Sequence, residues 1–132
     1  GFVSLLNLCR ALASHPLAID FIVFGESWDD TALTSTGRVW ITGPIAWLDI
    51  PKHVALHGCQ WALHMPAWPE IDGLAWQLAR LSGIPLITTA TGIYAEVLDA
   101  AYGDVALPPR ANTQDWLDRL TDLSLKQKDQ HG

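Results

Sequence analysis

The sequence predicts an α/β fold: a Rossmann-like, three-layer domain with a mostly parallel sheet. Short apolar segments alternate along the chain with segments in which apolar residues recur at helical spacing. The apolar segments are continuous rather than alternating in pattern, which is typical of strands that are buried on both faces. At 132 residues the chain is predicted to be a single domain, 1–132, with a polar, frayed tail at about 126–132.

The composition is that of a globular protein. Hydrophobic residues make up 49% of the chain and charged residues 17%, which excludes the disordered class. The net charge of −6 comes without a basic stripe, so nucleic acid is not expected as a partner. No apolar run is long enough to cross a bilayer, and no basic segment of a secretory signal is seen. Cys9 and Cys59 lie in apolar contexts, which favours free thiols over a disulfide and a reducing, cytoplasmic setting.

The first half of the chain is predicted to begin with a helix that Pro16 ends, and to continue with short strands. Asp29 and Asp30 are candidate caps of a short helix. Gly43 and Pro44 end the strand that precedes them in the sequence. In order, the predicted segments are a helix at 2–15, a strand at 20–24, a helix at 29–33 and a strand at 38–42.

The second half repeats the alternation of helix and strand. Pro51 is near the first position of its helix, Asp72 is the expected N-cap of the next, and Gly83 closes that helix. Leu74, Leu78 and Leu81 share one face of the Asp72 helix and are expected to pack inward. In order, the predicted segments are a helix at 51–58, a strand at 59–65, a helix at 72–82, a strand at 85–89, a helix at 94–102, a strand at 105–107 and a last helix capped by Asn112 or Thr113.

The turn at 69–73 is the first candidate for a functional site. Backbone N–H groups at a helix start lack partners and attract phosphate or carboxylate. In open α/β sheets this position, at the carboxyl ends of the strands, is where ligands bind. Glu70 lies in the turn as a candidate catalytic group, and a solvated turn residue is the alternative. For Asp72, a helix cap is preferred over a ligand.

Four short fragments resemble the C-terminal domain of retaining glycosyltransferases with the GT-B fold, of the group 1, family 4 type. The family typically has Pro-Ser-x-x-Glu-Gly-Phe-Gly-Leu, then Glu-Ala-x-Ala-Ser-Gly-x-Pro-Val-Ile, then Gly-Gly-x-x-Glu. The matching residues are Glu70, Gly73, Leu74, Ser82, Gly83, Pro85, Gly92 and Glu96, and Thr42-Gly43-Pro44-Ile45 is similar to the family's loop near the nucleotide base.

The resemblance implies the donor-binding half of an enzyme that moves a sugar from a nucleotide sugar to an acceptor in polysaccharide or glycolipid synthesis, with retention. Glu70 would fix sugar hydroxyls or stabilise an oxocarbenium-like transition state. The donor is a substrate, and neither a cofactor nor a metal ion is implied. The partner is an N-terminal domain of the same protein, without which the domain is expected to be inactive, and the setting is the cytoplasm or the inner face of a membrane. The donor-binding residues implied are Gly43, Pro44, Ile45, Asp72, Gly73, Leu74 and Gly92.

Two departures from the family pattern bear on function. The family's second glutamate, which holds the donor ribose, falls on Leu78, and Gln77 points about 100° away around the helix. Gly1-Phe2 resembles the position after the family's Lys-Gly, so the first strand and its phosphate-binding Arg and Lys are expected to be missing. A missing central strand leaves open sheet edges, which predicts a homodimer, a strand exchange or a repacked sheet.

Two other functions stay open at this point. The chain is a non-catalytic relative that acts as a scaffold, or an unrelated Rossmann-like ligand-binding domain. Among other side chains, His64 is a rim histidine or a donor-site group, and Trp68 is a candidate wall of a sugar pocket. His53 and His57 have the spacing of two metal ligands on one helix, but no third ligand is evident.

Overall fold

The computed structural model describes residues 1–66 and 69–131, with side chains to residue 126. The chain forms two compact units: a terminal unit of Phe2–Pro44 with Ala111–Gly132, and a central unit of Ile45–Arg110 with Gly1. The elements in chain order are α1 (Phe2–Ala13), β1 (Phe21–Val23), α2 (Asp30–Thr34), β2 (Val39–Ile41), a 3₁₀ turn (Trp47–Asp49), α3 (Ile50–His57), β3 (Ala62–Leu63), α4 (Leu74–Leu81), β4 (Leu86–Thr89), α5 (Tyr94–Val97), β5 (Val105–Leu107) and α6 (Thr113–His131).

All of the strand pairs are parallel, and the strands are short. In the terminal unit β1 pairs with β2, and Ile22 lies opposite Trp40. In the central unit the order is β3-β4-β5, and Ile87 lies opposite both Leu63 and Val105. The prediction of a mixed α/β fold with parallel strands is therefore confirmed, in the form of two small sheets.

The terminal unit is closed by α1, which packs its buried face against α2 and β2. Leu6 and Cys9 of α1 form one apolar cluster with Leu33 and Val39. The Arg38 guanidinium donates hydrogen bonds to four backbone oxygens that follow or end α1. These bonds hold the segment that follows α1 against Arg38, which directly precedes β2. The four acceptors are those of Leu12, His15, Leu17 and Ile19.

The central unit is built around α4, β4 and the start of α5. Ala79, Leu86 and Tyr94 form its buried cluster, and Tyr94 is fully buried. The prediction that the leucines of α4 pack inward is wrong, because Leu74 and Leu81 are exposed and Leu78 is half-buried. The helix turns its alanine side to the core, where the large Tyr94 ring already fills the space beside Leu86.

Several predicted helix ends are confirmed by their capping geometry. Asp29 caps α2 by accepting the Ala32 N–H. Gly83 follows α4 with a φ of 71°, and the Ile84 N–H bonds back to the Ala79 oxygen. This is the Schellman arrangement that favours glycine. Gly58 ends α3 in the same left-handed region, with a φ of 63°.

Three predictions about where secondary-structure elements end are wrong. The third strand is limited to Ala62–Leu63, and α5 ends at Val97 because Leu98 turns extended with a ψ of 136°. The backbone of the predicted frayed tail is helical, since α6 continues to His131. The start of α6 is as predicted: Asn112 and Asp115 exchange side-chain to backbone hydrogen bonds.

The two thiols are free, as predicted. Cys9 is buried, and burial raises its pKa to about 11 against the opposing effects of Thr36 and Arg38. Cys59 is half-buried, and burial raises its pKa as well. Within the described ranges, no helix combines the length and apolar character that a membrane crossing requires.

Candidate functional site

The turn before α4 is set by Gly73, and the prediction of Asp72 as N-cap is wrong. Gly73 occupies the cap position with φ 60° and ψ 34° and offers no side chain for capping. Asp72 lies one residue earlier, and its Oδ1 is 3.4 Å from the Leu74 nitrogen. A capping carboxylate normally reaches the second or third amide of a helix. Here the left-handed turn at Gly73 brings Asp72 only to the first.

Glu70 is held by two side chains from other parts of the central unit. The Tyr94 hydroxyl donates to Glu70 Oε1 at 2.8 Å, and His64 Nε2 lies 2.7 Å from Oε2. The His64 and Tyr94 rings are 5.1 Å apart, centroid to centroid. The side chains of His64 and Glu70 keep 27% and 21% of their surface exposed. We call these three residues the Glu70 cluster.

Local backbone contacts place the cluster. His64 continues the β3–β4 ladder, because its N–H donates to the Ile87 oxygen at 3.0 Å. The Ile93 N–H, just before Tyr94, donates to the Glu70 oxygen at 2.8 Å. Gly92 lies against the same peptide: a Cβ at this position would be 2.6 Å from both the nitrogen and the oxygen of Glu70. The turn before α5 therefore fits the Glu70 loop only because residue 92 has no side chain.

The electrostatics of the cluster fix the roles of its hydrogens. Burial raises the pKa of Tyr94 well above its usual range. The hydrogen bond to Glu70 and the charge of Glu70 act in the same direction, and the Ala75 amide opposes them. The tyrosine therefore stays protonated and donates. An ionised Glu70 would only accept hydrogen bonds, so His64 would present an N–H at Nε2. The Glu70 side chain is thus oriented from both sides.

An open groove of about 520 Å³ borders the cluster. Its floor is mainly apolar, and its polar groups are His64, Glu70 and Asp72. Leu78 lines the groove at the position where the glycosyltransferase pattern has its second glutamate. The described lining is completed by Pro69, Ile71, Leu74 and Ala75.

The start of α4 also borders the groove, but its first amides have partners within the protein. The Leu74 amide faces Asp72 Oδ1, and the Ala75 amide acts on the Tyr94 hydroxyl, where it lowers the pKa. An anion at this helix start would compete with both contacts. Glu70, Asp72 and Leu74 therefore line the groove together, Gly73 joins Asp72 to Leu74, and Gly92 packs against the Glu70 backbone.

The other predicted residues are distributed differently. Gly43 and Pro44 belong to the terminal unit, where Gly43 has a φ of 80° and forms an antiparallel bridge with Gly25. The Thr42 hydroxyl accepts the Gly25 N–H at 3.1 Å and donates to the Gly43 oxygen at 2.9 Å. Ile45 is half-buried and starts the central unit.

Four further predicted residues have simple outcomes. Glu96 is exposed on α5. The His53 and His57 rings stack with centroids 6.4 Å apart, and the described part of the chain contains no group of three metal-ligating side chains. Trp68 lies outside the described residues.

Sequence reasoning missed the partnership of His64 and Tyr94 with Glu70. The sequence places Tyr94 only at the start of a helix and leaves His64 as a rim histidine or a donor-site group, and it pairs neither with Glu70. A signal was present, since His64 and Glu70 flank the end of one strand and Tyr94 follows the end of the next. The carboxyl ends of neighbouring parallel strands meet at one edge of the sheet.

Comparison of the chain with protein-family models, with curated proteins and with solved structures gives no match. The Glu70 cluster and its groove are therefore the features from which a function is inferred.

Proposed function

We propose that this chain is the donor-binding part of a retaining glycosyltransferase of the GT-B type, acting in polysaccharide or glycolipid synthesis. The observation that carries the proposal is the Glu70 carboxylate, held by Tyr94 and His64 at the edge of a groove. A carboxylate offers about four acceptor positions, of which two are used here. The remaining positions suit the hydroxyl groups of a sugar.

The strand order supports the finer proposal of a Rossmann-like, three-layer fold. A doubly wound sheet of order 3-2-1-4-5-6 would leave two parallel groups if its first strand were absent. One group would pair strands 2 and 3, and the other would run 4-5-6. The pairing β1-β2 and the order β3-β4-β5 agree with these groups, each taken by itself.

The chemistry asked of the site is positioning and charge stabilisation. Preorganised groups lower a barrier most when they need no reorientation during the reaction. Tyr94 is fully buried, so its hydroxyl is a fixed donor to Glu70. In this proposal Glu70 orients the sugar hydroxyls and stabilises positive charge as it develops at the sugar.

The test is isothermal titration of the full-length protein and of Glu70→Gln with a panel of nucleotide sugars. Glutamine keeps the size of the side chain but loses the charge. We expect the unaltered protein to bind a nucleotide sugar. The affinity of Glu70→Gln should be at least about tenfold lower, since a hydrogen bond to a charged group contributes about 1.5–3 kcal/mol. Glu26→Gln, at an exposed position of the terminal unit, is the matched control. No binding at millimolar ligand, or equal binding by Glu70→Gln, would contradict the proposal.

A second function, a non-catalytic relative of these enzymes, is favoured by Leu78. This side chain lines the groove and cannot accept a hydrogen bond from a ribose. In this case the protein binds a sugar ligand but transfers nothing, and Leu78→Glu strengthens nucleotide binding. Sugar transfer by the unaltered full-length protein would exclude this alternative.

A further inference from the structure

The charges that line the groove favour one class of sugar over another. Two carboxylates, Glu70 and Asp72, and one histidine face it. The described lining includes neither lysine nor arginine. An anionic group placed in this groove would therefore meet like charge, and the desolvation of that group would have no compensation.

The arginine of α4 is committed to another contact. Arg80 lies in the last turn of the helix and pairs with the buried Asp104 carboxylate. Its other nitrogen donates to the Ile84 oxygen at 3.2 Å, and its guanidinium lies 3.7 Å from the Tyr102 ring centroid. Releasing Arg80 toward a ligand would leave Asp104 charged and buried, which is costly. The arginine is thus unavailable to offset the two acids.

The two acids act on the same small region. Glu70 bonds directly to the Tyr94 hydroxyl. Burial and Glu70 are the main causes of the raised Tyr94 pKa, and the charge of Asp72 adds to them. The negative potential of Asp72 therefore reaches the cluster that holds Glu70. The apolar floor, which includes Leu74, Ala75 and Leu78, completes a surface that fits the carbon face of a sugar ring.

We propose that the groove accepts the sugar of the donor only when that sugar is neutral or carries an amino group, and that it rejects uronic acids. This inference rests on the proposed function and specifies its substrate class. The diphosphate would lie outside the groove, since the same two carboxylates repel it. Asp72 is a specificity-determining residue, and Glu70 contributes both a hydroxyl acceptor and part of the repulsion.

The test compares pairs of donors that differ only at C6 of the sugar. The probes are UDP-glucose with UDP-glucuronate, UDP-galactose with UDP-galacturonate, and GDP-mannose with GDP-mannuronate, titrated into the full-length protein. Within a pair that binds, we expect the nucleotide sugar with the neutral sugar to bind at least about tenfold more tightly than the one with the acid. Like charges separated by several ångströms repel each other with a free energy of about this size. The gap should narrow as salt is added, because the repulsion is screened.

Asp72→Asn should reduce the difference in affinity within a pair to about threefold or less. Asp122→Asn, an exposed position on α6, removes the same net charge elsewhere and should leave the difference unchanged. An acid that binds as tightly as its neutral partner overturns this inference, while the proposed function stands. Equal narrowing by Asp122→Asn also overturns it. Absence of binding by all six probes overturns both the inference and the proposed function.

Discussion

Asp104 shows how one buried charge connects three elements of the central unit. Its side chain is fully buried and pairs with Arg80 from the end of α4. It also accepts the N–H groups of Leu86, at the start of β4, and Asp99, in the loop before β5, at 2.9 Å each. Every contact is charge-assisted, so the carboxylate is well compensated despite its burial.

These contacts predict an acid-sensitive contribution to stability. Burial alone would raise the pKa of Asp104, but the bonds from Arg80, Leu86 and Asp99, with the Arg80 charge, hold it below the usual 3.8. A folded-state pKa below the unfolded value stabilises the fold above the unfolded pKa. That stability is lost as the pH falls from about 3.8 through the folded value.

Asp104→Asn tests this contribution. We expect the variant to lose about 3 kcal/mol of unfolding free energy at neutral pH, because Arg80 is left without its charged partner. Urea unfolding at several pH values should show the difference from the unaltered protein shrinking in acid. Asp118→Asn, exposed on α6, should differ little at any pH. A difference that grows toward acid would contradict the assignment.

At the scale of the elements, Gly92 decides whether α5 meets the Glu70 loop. Gly92 and Gly58 have nearly the same backbone conformation, with φ values of 59° and 63°. A Cβ at Gly58 would contact nothing, whereas one at Gly92 would overlap the Glu70 backbone. The two glycines therefore separate the cost of the left-handed conformation from the cost of steric overlap.

The two costs are separated by substituting alanine for each glycine and measuring the free energy of unfolding of each variant. Gly58→Ala should cost about 1 kcal/mol of unfolding free energy, from conformation alone. Gly92→Ala should cost about 2–4 kcal/mol, because the loop must move away from α5 and break the Ile93 to Glu70 hydrogen bond. The same variant should weaken nucleotide-sugar binding, since Glu70 moves with its loop. Equal losses in the two variants would show that the close approach is not limiting.

The elements that the sequence predicts well are those with local signals. Asp29, Gly58 and Gly83 mark helix ends through their own side chains or backbone freedom, so these ends are found without tertiary information. The inward face of α4 depends instead on Tyr94, which comes from another element, and leucine spacing alone misplaces it. The site divides in the same way. Glu70 stands out in its turn, but its partners become visible only when the strand ends are brought together.

At the scale of the whole molecule, both outer strands of each sheet are paired on one side only among the described residues. β1 pairs with β2, and β3 pairs with β4. In β1 the Phe21 N–H donates to the Arg38 oxygen, and the Val23 oxygen accepts the Thr42 N–H. Neighbouring residues of a strand point their backbone groups to opposite sides, so those of Ile22 point to the open edge. Such an edge is a template for another strand.

The open edge of β1 supports the prediction that the protein associates with itself, and Ile22→Pro tests it. Proline at residue 22 removes the N–H that faces the open edge and leaves the bonds from β1 to β2 in place. We expect the unaltered protein to have the mass of a dimer at high concentration in light scattering. The variant should be mainly monomeric, with an unchanged circular dichroism spectrum and a melting temperature within a few degrees. A dimer that survives this substitution would place the contact elsewhere. An unaltered protein that is monomeric throughout would show that the edge is covered by the chain itself.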